Sequence, residues 1–65
     1  MFSKINSRIG AWLLIKGNTK EKLAAFIGIS VATLNNRLDG SCPWLWDEVC
    51  KVAEILGCST DDLRD

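Results

Sequence analysis

The stretch KEKLAAFIGISVATLNNRL, residues 20–38, decides the fold expected of this chain. It divides into two short helix-forming runs around Gly28-Ile29-Ser30. Gly28 can take the positive φ that stops a helix sharply. Ser30 can accept a hydrogen bond from the unpaired N–H groups at the start of the next helix. Ala24 is small enough for two helices to approach closely there. The spacing predicts a pair of helices meeting at a tight turn, with the second standing proud of the surface.

The same signals extend outward. Ile5, Ile9, Trp12 and Leu13 recur at helical spacing and predict a first helix over residues 3–16, ended by Gly17-Asn18. Thr19 is placed to cap the second helix, which turns Leu23, Ala24 and Ile27 inward. Leu34 and Leu38, one turn apart, are the inner face of the third, which ends at Gly40. Pro43 makes Ser41-Cys42-Pro43-Trp44 a loop. A fourth helix is expected over residues 45–56, with Trp46, Val49, Cys50, Ala53 and Leu56 on its buried face. After Gly57, Ser59 starts a last short turn that returns Leu63 to the core. The expected fold is all-α: a compact five-helix domain spanning residues 1–65.

Composition excludes several classes. Sixty-five residues make one domain near the lower limit for independent folding, and 48% apolar content helps so small a core. No apolar run approaches the ~18 residues of a membrane span. The run at residues 11–15 is too short for a signal-peptide core, so the expected location is cytoplasmic. Three cysteines and no histidine cannot supply a four-ligand zinc site, so no metal or cofactor is expected. The cysteines read as reduced and largely internal, Cys42 being the exposed one. Without histidine or an activated nucleophile, the chain is not expected to be an enzyme, nor to take a small-molecule ligand.

The net charge of zero conceals a polarity. Residues 1–37 carry six basic side chains against one acid, and residues 38–65 carry two against seven. A dipole of this sense would turn the third helix toward phosphate.

Leu23-Ala24, Gly28-Ile29-Ser30, Leu34, Gly40, Pro43 and the closing Leu56-Gly57-Cys58-Ser59 with Asp61-Asp62-Leu63 make the chain similar to the lambda-repressor-like helix-turn-helix family, the phage Cro and repressor type. The resemblance covers nearly the whole chain. It implies a homodimer on operator DNA with the third helix in the major groove. Many members carry an Arg–Glu pair where this chain has Leu13 and Leu38, a change to packed apolar groups that is often neutral. Arg37 stands where the family usually buries an aliphatic residue, so either the third helix is slightly rotated or the Arg37 stem covers the core edge with its charge outward.

On the matching positions, Val31, Ala32, Asn35 and Asn36 are the candidate base readers. Asparagine can pair with adenine N6 and N7, and the small apolar groups can meet thymine methyls, so an A·T-containing palindromic operator is expected. Thr19, Lys20, Ser30, Thr33, Arg37, Ser41, Arg8 and Lys4 are the candidate phosphate contacts. Trp44 and Leu45 are the candidate dimer contacts, with Trp46 inside the core. A transcriptional regulator acting by promoter occlusion is the expected function, since a chain this short leaves no room for a sensing domain. The competing expectation is a protein-interaction module on the same fold, gripping a partner through Val31-Ala32 and Trp44-Leu45-Trp46.

Overall fold

The computed structural model describes residues 4–64. Four α-helices follow one another: α1 (Lys4–Leu13), α2 (Lys20–Ile27), α3 (Val31–Leu38) and α4 (Trp46–Leu56). A 3-10 helix at Thr60–Leu63 stands where a fifth α-helix was expected. Only four residues separate Ser59 from Arg64, too few for a stable α-helical segment, and the tighter turn suits short pieces. The described residues contain no strand.

The caps form as the local chemistry dictates. Thr19 Oγ1 accepts the Lys22 N–H at 3.1 Å and starts α2. Gly28, at φ 90°, ends it, and the N–H groups of Gly28 and Ile29 both reach the Ala24 carbonyl, at 2.8 and 3.0 Å. Ser30 Oγ then accepts the Thr33 N–H at 3.1 Å and opens α3. The connection between α2 and α3 is therefore three residues long, with both ends fixed by side-chain or glycine chemistry.

α1 ends one turn earlier than expected. Leu14 and Ile15 donate to the carbonyls of Ala11 and Trp12 at 3.2 Å, a tightened turn, and the Asn18 side-chain amide takes the Trp12 carbonyl at 2.9 Å. These bonds satisfy the Ala11 and Trp12 carbonyls in the last turn of α1, and Leu14 and Ile15 are exposed beyond it.

Ile9, Leu23, Leu34 and Val52 are completely buried, joined by Ile5, Ala24, Ala53 and Leu63. Every helix contributes, so the small core holds all elements at once. The buried stripe of α4 differs from the expected one: Glu48, Val52 and Ala53 face inward with Val49 and Leu56 beside them, while Trp46 is 60% exposed and Cys50 lies on the surface. The cause is Glu48. A carboxylate is assigned outward until its partner is known, and the partner is Arg37 of α3. The aromatic roles in the 44–46 segment exchange accordingly. Trp44 is half-buried against the core, and its indole Nε1–H donates to Asn6 Oδ1 at 3.2 Å. Among the cysteines, all free, Cys50 is the exposed one, with Cys42 and Cys58 half-buried.

Candidate nucleic-acid interface

α3 presents one open face. Ala32, Asn35, Asn36 and, just past the helix, Asp39 are exposed and fall on one side at helical spacing, opposite the buried Leu34. Val31, one turn before Asn35, stands at the edge of that face, half-buried and packed against the core.

The N-terminal half of this face is rich in hydrogen-bond donors. Lys20, the first residue of α2, sends its Nζ to Asn35 Oδ1 at 3.1 Å, so the two helices are joined across the turn by two of the expected contact residues. The bond leaves the Asn35 NH₂ group pointing its donors elsewhere. Ser30 Oγ donates to Thr33 Oγ1 at 2.9 Å while accepting from the Thr33 N–H, and the Thr33 hydroxyl hydrogen stays available to an outside acceptor. Thr19, Lys20, Ser30, Asn35 and Asn36 are all exposed around this junction. Lys22 is exposed on α2 close by, and Lys51 of α4 lies 6.0 Å from the Phe26 ring centroid.

The C-terminal half differs from expectation. Arg37 does not project toward solvent. Its Nε and Nη2 donate to Glu48 Oε1 and Oε2 at 2.8 and 3.1 Å, a bidentate pair with both side chains nearly covered. The charge is not held outward: the guanidinium turns inward onto α4 and is engaged there by Glu48. Ser41 is exposed, but its N–H donates to Asp39 Oδ1 at 2.8 Å, which places a carboxylate beside it. The Ser41 hydrogen bonds hold the Asp39 carboxyl below its usual range, so that charge persists.

Arg8 and Lys4 are exposed beside acidic side chains. Arg8 Nη2 lies 4.0 Å from Asp62 Oδ1, and Lys4, Arg8, Asp61 and Asp62 line one shallow surface hollow. The basic and acidic halves of the sequence are therefore partly folded onto each other, at Arg8–Asp62 and at Arg37–Glu48. At the start of α2, Lys20 and Lys22 are exposed, with Glu21 between them.

Glu48 carries a second duty. Its Oε1 also accepts the Leu45 N–H at 3.0 Å, satisfying an orphan donor at the start of α4. The Arg37 hydrogen bonds pull its carboxyl below the usual glutamate range against the opposing effect of desolvation, with a further contribution from the Leu45 N–H. Arg37 is correspondingly raised, chiefly by its hydrogen bonds to Glu48. A carboxyl depressed in the folded state adds stability that is present above its unfolded pKa and lost as pH falls through the folded one. Urea midpoints should therefore decline as pH is lowered from about 5, and Glu48→Gln should flatten that decline. An identical pH profile in the variant would show that Glu48 does not carry the linkage.

Asn6 is the other residue missed from sequence. Its Nδ2 donates to the Leu38 carbonyl at 2.9 Å, and its Oδ1 accepts from Trp44, so α1 holds the end of α3 and the following loop together. Nothing in the local sequence marks it. Glu48 could have been found at the third position of α4, where Glu commonly reaches back to the first N–H.

The family model described as BetR domain matches residues 3–65. The chain belongs to the BetR domain family. No curated protein and no solved structure matches it. A BetR domain is therefore what the four helices and the terminal 3-10 turn build, and the match takes in α2, α3 and their connection whole. Among the described residues no group of His, Cys, Asp and Glu could hold a metal ion, and no helix is long and apolar enough to cross a membrane.

Proposed function

We propose that this BetR domain is a sequence-specific DNA-binding regulator whose α2 and α3 form a helix-turn-helix of the lambda-repressor-like kind. The observation that carries the proposal is the exposed Ala32–Asn35–Asn36 face beside Thr19, Lys20, Ser30 and Thr33. Base-reading groups and phosphate-binding groups lie at one junction, as a helix entering the major groove by its N-terminal end requires. Membership of a small helical family often of helix-turn-helix type supports the same reading. Asn36 reads adenine, Asn35 donates to an acceptor on a neighbouring base edge with its carbonyl held by Lys20, and Ala32 leaves room for a thymine methyl.

The reading includes a homodimer on a palindromic site, because one small module with few phosphate contacts gains specificity by pairing. Leu45 and Trp46, exposed at 57% and 60%, are the surface offered to the second copy in place of Trp44. Repression by promoter occlusion, in the manner of phage Cro and repressor proteins, is the proposed outcome.

Three or four phosphate contacts per protomer give a measurable signature. Raising salt from 50 to 200 mM should weaken binding to a labelled duplex on the order of 10²-fold per protomer. Affinity that does not change with salt would contradict the proposal. It would favour a protein-interaction module, a reading that draws on the exposed Leu45 and Trp46 and on the internal pairing of Arg37.

A further inference from the structure

We infer that Arg37 and Glu48 act as positioning residues that set the angle at which α3 is presented, an inference that rests on the proposal that α3 reads DNA. α3 has eight residues, of which Leu34 alone is fully buried while Val31 and Leu38 are partly buried against the core; this apolar packing supplies a pivot but, being non-directional, leaves the exact rotation to polar contacts. Orientation needs a second point, and the Arg37 fork supplies it at the C-terminal end. Two parallel hydrogen bonds between planar groups resist both sliding and rotation, which a single contact does not. The acceptor is itself held, because Glu48 is buried and bonded to the Leu45 N–H in the first turn of α4. α4 thus adds a buried, two-point tie to α3, beside the exposed bond from Lys20 to Asn35 and the bond from Asn6 to the Leu38 carbonyl.

Stability alone is a poor explanation for this pair. A covered ion pair often contributes no more than packed apolar side chains would, and its best-attested use is to fix register. An apolar pair at positions 37 and 48 would hold α3 against α4 equally well and leave its angle free. The helix face opposite Leu34 would then meet a groove at variable tilt, and Asn35 and Asn36 would lose simultaneous alignment with successive bases.

Two variants separate position from stability. Arg37→Met with Glu48→Gln removes the fork and keeps an acceptor for the Leu45 N–H; Arg37→Lys keeps the charge and loses the bidentate geometry. Amide residual dipolar couplings report the orientation of α3 relative to α1 and α4 without DNA. Selectivity is the affinity for the duplex the parent enriches from a random pool, divided by that for random duplex. The double variant should stay folded, show α3 couplings that no longer fit the parental orientation, and lose selectivity by about tenfold, the scale of one base contact. Arg37→Lys should fall between it and the parent, and it carries the comparison if the double variant does not fold. Parental α3 couplings in the folded variants would overturn the inference. A parent that enriches no sequence would end the DNA reading, and the couplings would still decide the positioning role.

Discussion

Leu34→Ala is expected to lower the unfolding free energy by about 3 kcal/mol. The side chain is wholly buried and is the one residue of α3 with no exposure, so its removal leaves a cavity between the reading helix and the rest of the core. The chain has 65 residues, and a domain of that size holds roughly 3–10 kcal/mol in total. The loss is a large share of that total, so the thermal midpoint of the variant should fall well below that of the parent. Urea titration of the parent and variant measures the difference directly. A loss below about 1 kcal/mol would mean that the site collapses without cost and that Leu34 is not the pivot of α3.

Asn36→Ala has the largest effect expected on recognition. Asn36 is exposed, and no side-chain hydrogen bond joins it to the rest of the fold; its backbone carbonyl alone accepts the Cys42 N–H. Alanine is also the better helix former, so stability should hold or rise slightly. Affinity for the preferred duplex should fall by about 1–3 kcal/mol, and the loss should vanish when the base pair that Asn36 reads is itself replaced. Equal losses on every sequence would assign Asn36 to the phosphate backbone. No loss at all would take the open face of α3 out of recognition.

The contrast between these two residues and Glu48 shows where the sequence was legible. Thr19, Gly28 and Ser30 act on N–H and carbonyl groups within a few positions of themselves, so residue type and spacing were enough to place the α2–α3 junction. Ile5, Ile9, Leu23 and Leu34 followed from helical periodicity for the same reason. Arg37 and Glu48 lie eleven positions apart, and Asn6 and Leu38 thirty-two, so each reads as a solvated polar residue until the helices are packed. One such pair changed part of the stripe of α4: with Glu48 inside, Trp46 and Cys50 lie outside and Trp44 takes the half-buried aromatic place, while Val49, Ala53 and Leu56 face the core as expected. Linear order likewise does not say that Arg8 meets Asp62. What sequence located best is the part of the molecule proposed to touch DNA. What it missed is the part that holds that surface in place.

The central claim is that the α3 face reads sequence. Selection and sequencing of duplexes bound from a random pool at low salt tests it most directly. An enriched palindrome containing A·T pairs is the predicted result, and its half-site spacing would give the separation of the two reading helices. A pool that emerges without any enriched sequence would contradict the claim.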